Sequence, residues 1–481
     1  MKHYDVIVIG TGAANIILEA AMEKGLSCAQ IERGKFGGTC LTRGCIPTKV
    51  MVTAADRIRE IEEAGTVGVE AGKPRINWNR VKERVWKKID ESLELREFYL
   101  SQENLDVYEG EGYFTDKKTL RVKLHNGELS EPMTADKIFI AVGGRTNVPS
   151  IEGLEETGYL TSETLFGEKY PEKPFEELIV LGGGAIGTEF AHIFAAAGTK
   201  VSIVQRNVRL LPKEDEEISE QIYKELSLRG VDVHLNQQSV SVRLLPEGKK
   251  ELTLRDKSSG EIRKIAADEI LVCPGIVSNA DSLHLEKTDV AVDEKGWIIT
   301  DLWLKTTAEG IWACGDVNGK QQFRHKANYE ADILAYNLFL KEEKEESRRA
   351  DYSLVPAVTF TYPQVAHIGL TEKQAKEAGR QLLIGRHRYA QTAKGYALGY
   401  LEEGVHDAFA KLIVDKSTGD LLGMHIIGPE ASLLIQPYVN LMSAAKMNLP
   451  AGKLSTVRQT MVPHPALSEA AIWTYYYMQE E

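Results

Sequence analysis

Two cysteines five residues apart, Cys40 and Cys45, have the spacing of a possible redox pair. On a regular helix this spacing would separate the Cα atoms by about 8 to 9 Å, whereas a disulfide tolerates roughly 4.4 to 6.8 Å. A bond between the sulfurs therefore requires a distorted turn, for which Gly44 supplies backbone freedom. Pro47 would allow a helix to start behind the pair, where the helix dipole lowers the pKa of a thiol. We interpret the pair as a candidate redox centre, with two buried structural thiols as the alternative.

Composition restricts the classes of protein to which this chain can belong. Its 481 residues exceed what one core usually serves, so we expect several domains. A hydrophobic content of 43 % with 27 % charged residues is typical of a globular protein, and we find no apolar run long enough to span a bilayer. The net charge of -12 without a basic cluster argues against nucleic acid as a partner. A first strand starting at the N-terminus leaves no room for a signal peptide, which favours the cytoplasm.

The total number of cysteines and the positions of the other three indicate no second reactive pair. Five cysteines are too few for a secreted disulfide scaffold, so a bonded pair would be catalytic. Cys28, Cys273 and Cys314 lie in apolar runs, and we expect them to be inert core residues. We assign no residue to a metal site.

The N-terminal segment has the pattern of a dinucleotide-binding turn. An apolar strand at residues 6–9 is followed by Gly10 and Gly12, then by a helical stretch and a second strand that ends at Glu32. In this arrangement the glycines permit a tight turn, the pyrophosphate lies on the helix N-terminus, and the acid binds a ribose hydroxyl. Asn15 replaces the usual third glycine, which we expect to alter helix packing rather than phosphate contacts.

The same pattern recurs in the middle of the chain. An apolar strand at residues 178–181 precedes a glycine-rich turn, a helix and a strand at residues 201–204. This copy has all three glycines, Gly182, Gly184 and Gly187. Because each copy stands in a strand-turn-helix-strand context, two dinucleotide sites are predicted.

The second copy lacks the acid that ends the second strand. Gln205 stands in its place, and Arg206 and Arg209 follow. A missing carboxylate removes repulsion of a 2′-phosphate, and an arginine can pair with that phosphate. The second site is therefore expected to prefer NADPH to NADH, unless the arginines belong to a solvated loop.

Two dinucleotide sites beside a cysteine pair indicate electron transfer from a nicotinamide through a flavin to sulfur. Two further segments support this interpretation, residues 306–316, which end in Asp316, and residues 464–469. With them, nearly the whole chain resembles the flavin-dependent pyridine nucleotide-disulfide oxidoreductases, the family of dihydrolipoamide dehydrogenase, glutathione reductase, mycothione reductase and mercuric reductase. Residues 277–280 and 431–437 are most similar to the mycothione reductase-like branch.

The resemblance implies an α/β fold with two Rossmann-like dinucleotide-binding domains and a C-terminal α+β dimerisation domain. The expected segments are 1–150 for the first part of the FAD-binding domain, 151–277 for the NAD(P)-binding domain, 278–350 for the second part of the FAD-binding domain and 351–481 for the dimerisation or interface domain. A homodimer is implied.

The resemblance also implies roles for individual residues. Cys45 would be the thiolate against the flavin, and Cys40 the thiol that exchanges with the substrate disulfide. His464, reaching across from the partner subunit, would be the acid-base group oriented by Glu469. The remaining implied contacts are the ion pair of Lys49 and Glu189 beside the flavin, and the FAD contacts Gly143 and Asp316.

Three functions remain open at this level. The first is an NADPH-dependent reductase of a small disulfide, which Arg206 and the missing acid favour. The second is dihydrolipoamide dehydrogenase, which works with NAD and a lipoyl substrate. The third is a flavin redox sensor without turnover, against which the presence of both cysteines, His464 and Glu469 argues.

Overall fold

The computed structural model describes residues 1–401, 406–447, 454–466 and 468–472. In chain order the strands are β1 (Lys2–Ile9), β2 (Cys28–Glu32), β3 (Leu105–Asp116), β4 (Thr119–Leu124), β5 (Met133–Ile140), β6 (Gly144–Thr146), β7 (Glu177–Leu181), β8 (Lys200–Val204), β9 (Asp232–His234), β10 (Gln237–Leu244), β11 (Lys250–Asp256), β12 (Ile262–Ala267), β13 (Glu269–Val272), β14 (Ile276–Ser278), β15 (Ile311–Ala313), β16 (Ala357–Thr359), β17 (Gln364–Gly369), β18 (Leu382–Arg388), β19 (Phe409–Asp415) and β20 (Leu421–Gly428).

The α-helices follow the same chain order. They are α1 (Asn15–Glu23), α2 (Gly38–Thr42), α3 (Cys45–Glu63), α4 (Trp78–Ile89), α5 (Glu91–Leu100), α6 (Leu154–Thr157), α7 (Ser162–Leu165), α8 (Ala185–Ala196), α9 (Glu216–Leu228), α10 (Arg324–Ala335), α11 (Glu372–Glu377), α12 (Ala393–Ala397), α13 (Ala431–Leu434), α14 (Gln436–Lys446), α15 (Leu454–Gln459) and α16 (Ser468–Ile472).

The chain divides into two compact units, each built from three segments. The first unit comprises Met1–Pro47, Trp86–Arg145 and Ile276–Val355, and the second comprises Thr48–Val85, Thr146–Gly275 and Pro356–Glu481. The sequence-based division into four segments remains a prediction.

The first unit is organised around a six-stranded sheet. Parallel pairings join β3, β2, β1, β5 and β15 in that order, and β4 runs antiparallel to both β3 and β5. Val6 and Val8 pack in one apolar cluster with α1, while Ile7 and Ile9 pack in a second cluster on the other face. Because β1 is buried on both faces of the sheet, its residues 6–9 are all apolar rather than alternating with polar residues.

Among its described residues, the second unit has one parallel and two antiparallel sheets. The parallel sheet has the order β13-β7-β8-β9. Strands β10, β11 and β12 form a small antiparallel sheet, and β16-β17-β20-β19-β18 form the C-terminal antiparallel sheet. Parallel nucleotide-binding folds followed by an antiparallel sheet with helices confirm the predicted α/β class.

Two local predictions differ from the structure in the C-terminal segment. The alternating sequence of residues 355–362 predicts one strand, but the structure has only β16 there, because the chain bends before Pro363. The sequence of residues 431–446 predicts one helix, but the structure divides it into α13 and α14, with Ile435 between them and Pro437 in the first turn of α14. Proline lacks the amide proton that would continue the first helix.

None of the helices in the described part of the chain is long and apolar enough to cross a membrane.

Candidate functional site

The first glycine-rich turn connects β1 to α1 and is tied to the end of β2. Gly10 has φ +109°, and a Cβ there would lie 2.4 Å from the Ala141 carbonyl oxygen. Glu32 reaches back to the turn: its Oε2 accepts hydrogen bonds from the Thr11 amide at 3.0 Å and the Thr11 hydroxyl at 2.6 Å. Its Oε1 accepts one from the Gly34 amide at 2.7 Å. The acid expected to bind a ribose is therefore already oriented by backbone amides.

Two further side chains, those of Asn15 and Arg324, lie near this turn. Asn15 Oδ1 accepts a hydrogen bond of 2.9 Å from Gln30 Nε2, so the residue that replaces glycine joins α1 to β2. A guanidinium nitrogen of Arg324 lies 3.9 Å from where a Cβ on Gly12 would stand. Arg324, which the sequence analysis missed, thus places a cation beside the predicted phosphate cradle.

Asp316 lies just after β15 in an environment that disfavours its charge. Burial raises the pKa of this carboxyl group to about 6. Lys326 opposes this shift, whereas the negative charges of Cys45 and Glu330 add to it. Asp316 and Cys45 are therefore close enough in the first unit to interact electrostatically.

A buried ionic network supports the turn that carries Asp316. Lys326 and Glu330, one helical turn apart in α10, are both fully buried, and their charged groups lie 3.2 Å apart. Glu330 accepts hydrogen bonds from the Gly315 amide at 2.6 Å, Asn318 Nδ2 at 2.7 Å and the Tyr352 hydroxyl at 2.5 Å. Lys326 Nζ donates to the Gly315 carbonyl oxygen at 3.0 Å. Sequence analysis missed this network because a Lys and a Glu four residues apart normally indicate an exposed helical pair.

The two cysteines lie on two consecutive helices. Cys40 is buried in α2, and Cys45 is the first residue of α3. Between them Arg43 has φ -155°, so the helix is interrupted where the spacing requires a distorted turn. Their sulfurs lie within 4.8 Å of each other, and a disulfide between them would be about 2.05 Å long.

The other three cysteines lie in the core, as predicted. Burial raises the pKa of Cys28 to about 12, and it also raises the pKa values of Cys273 and Cys314. Such thiols are poor nucleophiles at neutral pH.

The second glycine-rich turn, in the second unit, connects β7 to α8. Gly182 has φ +109°, the value found at Gly10. A Cβ on Gly187 would lie 1.9 Å from the Gly182 carbonyl oxygen, so α8 approaches its turn too closely for any side chain at that position. Gly184 precedes the first residue of α8. The helix N-terminus is therefore accessible to a phosphate through backbone alone.

The residues after β8 are arranged differently from their counterparts in the first unit. Gln205 is buried, and its Nε2 donates to the Arg209 carbonyl oxygen at 3.3 Å. Arg206 is exposed. The Arg209 guanidinium lies 2.8 Å from a carboxylate oxygen of Glu216. Of the two predicted arginines, Arg209 thus has its charge balanced within the protein.

Lys49 and Glu189 form the ion pair that the resemblance implies. Lys49 Nζ lies 2.6 Å from Glu189 Oε2, and the Glu189 side chain is 7 % exposed. Glu189 Oε1 accepts a hydrogen bond of 2.8 Å from the Phe360 amide, and the ammonium lies 4.7 Å from the centre of the Phe360 ring. The carboxylate and the ring together hold the lysine in place.

His464 and Glu469 also form a pair. His464 Nδ1 lies 2.5 Å from Glu469 Oε1. Because a carboxylate only accepts hydrogen bonds, the proton lies between Nδ1 and the carboxylate, and this bond orients the ring. Their side chains are 13 % and 16 % exposed.

Comparison with known proteins identifies the family. Residues 4–331 match the family model described as pyridine nucleotide-disulphide oxidoreductase, and residues 355–475 match the dimerisation domain of the same family. The chain belongs to the pyridine nucleotide-disulphide oxidoreductase family. Its members are FAD-dependent enzymes that use NAD(P)H, so this chain is an FAD-dependent oxidoreductase. The second match indicates a homodimer.

Relatives of this oxidoreductase include several kinds of flavoprotein. The chain is 35 % identical to mycothione reductase of Mycobacterium tuberculosis, covering 98 % of both chains. It is 32 % identical to dihydrolipoyl dehydrogenase of Bacillus subtilis, covering 97 % of this chain and 96 % of the relative. The fold is similar to that of the HOCl-induced flavoprotein disulfide reductase RclA from Escherichia coli, solved as a Cu(II) complex, with a TM-score of 0.77, 29 % identity and complete coverage of both chains.

The residues of the first unit fit FAD in this oxidoreductase. The turn at Gly10 and Gly12 leaves its backbone open to a phosphate, and Glu32 is oriented toward the same turn. Gly143, with φ +67°, lies in the turn that follows β5. Asp316, with its raised pKa, is suited to a hydroxyl group rather than to a second charge. We take these residues as the candidates that hold the cofactor.

Proposed function

We propose that this oxidoreductase is an NADPH-dependent reductase of a small disulfide. The observation that supports it is the combination of the Cys40 and Cys45 pair with a second nucleotide turn in which Gln205 and Arg206 replace the usual acid. FAD, when bound, carries two electrons from the nicotinamide to the cysteine disulfide.

The nicotinamide preference rests on the charge after β8. A carboxylate there, like Glu32 in the first unit, would repel the 2′-phosphate of NADPH. Gln205 is neutral, and the exposed Arg206 is available to pair with a phosphate. Since Arg209 is paired with Glu216, Arg206 supplies most of the preference in this proposal.

The sulfur chemistry balances over one cycle. Two electrons and two protons convert the Cys40–Cys45 disulfide to two thiols. The Cys40 thiolate attacks one sulfur of the substrate, forms a mixed disulfide and releases the first thiol. The Cys45 thiolate then attacks the Cys40 sulfur, which releases the second thiol and restores the disulfide. Cys45 lies at the N-terminus of α3, where the helix dipole stabilises a thiolate.

Protons and charge are assigned to the two pairs of the second unit. His464 Nε2 would protonate the departing thiolate, while Glu469 holds the ring through Nδ1 and stabilises its positive charge. Lys49, held by Glu189, would supply a fixed positive charge that stabilises the reduced cofactor.

The relatives support one substrate class and one competing class. Mycothione reductase is named for a low-molecular-weight thiol disulfide, and we propose a substrate of that class. Dihydrolipoamide dehydrogenase is the second candidate, because dihydrolipoyl dehydrogenases are also relatives and the pairing of Arg209 weakens the case for NADPH.

Turnover of the FAD-loaded enzyme separates these candidates. We would measure lipoamide reduction with NADPH and with NADH under identical conditions. Flavin reduction by NADPH with negligible lipoamide turnover would support the proposal and direct the search to low-molecular-weight disulfides. Efficient lipoamide reduction with NADH would identify a dihydrolipoamide dehydrogenase and contradict our interpretation of Gln205 and Arg206.

The exchange role is tested by Cys40→Ser. This variant should lose disulfide reduction while NADPH still reduces its flavin. The matched control is Cys28→Ala, in a buried residue of β2 whose raised pKa makes it inert. Undiminished turnover of Cys40→Ser would refute the assignment and would also remove the support for a disulfide reductase.

The homodimer proposal has its own test. If His464 of one chain serves the cysteines of the other, a mixed dimer of Cys40→Ser and His464→Gln chains contains one intact site and one doubly defective site. Such a mixed dimer should recover activity that neither parent has. No recovery would show that each chain completes its own site.

A further inference from the structure

A row of buried polar side chains crosses the C-terminal sheet of the second unit, and the proposed function does not use it. His367 on β17 lies directly opposite His425 on β20, which lies opposite Lys411 on β19. Directly opposite residues point to the same face of a sheet. The two imidazole rings stack with centroids 5.6 Å apart and an interplanar angle of 22°.

The hydrogen bonding of His425 leaves one ring nitrogen with a lone pair. His425 Nε2 lies 2.9 Å from the Leu370 carbonyl oxygen, and a carbonyl only accepts, so Nε2 carries the proton. Nδ1 is then an acceptor, and in the described part of the chain it has no hydrogen-bond partner although the side chain is completely buried. Gly423 makes this arrangement possible, because a Cβ there would lie 2.0 Å from the Leu370 oxygen.

This is the state that a histidine metal ligand adopts. Metal-binding imidazoles commonly donate their other N–H to a backbone carbonyl, which fixes the tautomer and the ring orientation. A buried acceptor without a partner is otherwise costly. The Nδ1 atom of His425 thus has the properties of a ligand, with its second nitrogen already held by Leu370.

Two further ligands converge on the same place. His367 Nδ1 lies 2.7 Å from Glu214 Oε2, and the side chains are 17 % and 8 % exposed. One ligand atom from each of Glu214, His367 and His425 lies within 4.8 Å of the other two. Ligand atoms around a tetrahedral zinc ion are about 3.3 Å apart, so small side-chain rotations would bring these three into range.

The neighbouring charges are compatible with a cation. The buried Lys411 ammonium lies within 2.8 Å of carboxylate oxygens of Asp215, Glu217 and Glu372, so its charge is compensated. Lys213 also acts electrostatically on His367. The Glu214 carboxylate is therefore the ligand that supplies negative charge to the ion itself.

We propose that Glu214, His367 and His425 form a structural site for a divalent transition-metal ion, with zinc as the fitting ion and water in the fourth position. Two imidazoles and one carboxylate suit zinc, whereas magnesium and calcium require mostly oxygen ligands. On binding, zinc takes the place of the proton shared by His367 Nδ1 and Glu214, and that proton leaves to solvent. The ion would join β17, β20 and the segment that precedes α9. This site extends the sequence analysis, which assigned no metal ligand.

Zinc stoichiometry tests the site in the FAD-loaded full chain. Because thiolates also bind zinc, the background carries Cys40→Ser and Cys45→Ser, and bound zinc is measured by dialysis and elemental analysis. We expect one zinc per chain. We expect affinity to fall at least about tenfold in Glu214→Gln, which preserves shape, and to be lost in His425→Gln. The matched control is His406→Gln, a partly exposed histidine of the same unit that should not change zinc binding.

Several outcomes would overturn the proposal. They are a stoichiometry well below one per chain, and zinc binding that Glu214→Gln leaves unchanged while thermal denaturation shows a folded protein. An equal loss of zinc in His406→Gln would likewise overturn it. Because no substrate is involved, these results do not depend on whether the chain reduces disulfides.

Discussion

The two glycine-rich turns meet the same backbone requirement and differ in the polar residue that ends the following strand. Gly10 and Gly182 both have φ +109°, and in each case a Cβ would collide with a backbone carbonyl oxygen of a neighbouring strand end. At the end of β2, Glu32 accepts hydrogen bonds from the turn, whereas just after β8 the neutral Gln205 donates a hydrogen bond to the Arg209 carbonyl oxygen. Glycine thus gives the two turns the same backbone shape, and the polar residue beside each turn differs in charge.

The two turns also differ in how closely the helix that follows, α1 or α8, approaches the backbone of the turn. In the first unit the third glycine position is occupied by Asn15, which hydrogen bonds to Gln30 of β2. In the second unit Gly187 leaves no space for a Cβ beside the Gly182 carbonyl oxygen. The same motif therefore tolerates a side chain in one unit and excludes it in the other.

The largest expected effect concerns the buried ion pair of Lys326 and Glu330 in the first unit. Glu330→Ala leaves the fully buried Lys326 ammonium without its carboxylate. We expect the first unit to lose about 3–5 kcal/mol of unfolding free energy. Denaturant-induced flavin release measures this, with Glu345→Ala as an exposed control. A loss below about 1 kcal/mol would show that the pair does not support the Asp316 turn.

The second prediction compares the third glycine positions. Gly187→Ala should reduce NADPH-dependent turnover by about 100-fold or more while FAD is retained, because the turn must move to accommodate the methyl group. Asn15→Ala loses one hydrogen bond, so it should lower the free energy of unfolding by about 1 kcal/mol or less and leave turnover nearly unchanged. Steady-state kinetics and flavin content are the measurements. An equal loss of turnover in the two variants would contradict the conclusion that only the second helix lies too close to its turn for a side chain.

The third prediction concerns pH and the raised pKa of Asp316. This carboxyl group has a pKa of about 6 when folded and an ordinary value of 3.8. The folded chain therefore holds the proton more tightly, and this contribution to stability is lost as pH rises from about 4 through 6. Asp316→Asn should stabilise the flavin-free protein by about 2 kcal/mol at pH 8 and by almost nothing at pH 4. Chemical denaturation at both pH values measures the difference, and a gain independent of pH would contradict the assignment.

The smallest expected effect tests the charge after β8. Arg206→Glu should lower the ratio of kcat/KM for NADPH to kcat/KM for NADH about tenfold, because a carboxylate would repel the 2′-phosphate. Arg209→Glu should shift the ratio less, since Arg209 is already paired with Glu216. An unchanged ratio in Arg206→Glu would show that this arginine faces solvent in the complex.

Local patterns predicted the elements of the candidate site well. The interrupted helix between Cys40 and Cys45, the strand that ends at Glu32 and the substitution at Gln205 all follow from short stretches of sequence. Such features depend on glycine geometry, apolar runs and spacing, which act over a few residues. The pairing of Lys49 with Glu189 was predicted only through the family resemblance, since 140 residues separate them.

The buried polar groups could not be found this way. Lys326 and Glu330 look like an exposed helical pair, and their burial depends on contacts with Asn318 and Tyr352. His367 and His425 are unremarkable along the chain, and only strand register places their rings together.

By itself the sequence determined the two nucleotide turns, the cysteine pair and the charge at Gln205, because these are properties of neighbouring residues. Tertiary structure decided which charges are buried, which carboxylate neutralises Arg209, and that Nδ1 of His425 has no hydrogen-bond partner among the described residues. The physical reason is that hydration and ion pairing depend on every atom within a few ångströms, and folding brings those atoms together from distant parts of the chain.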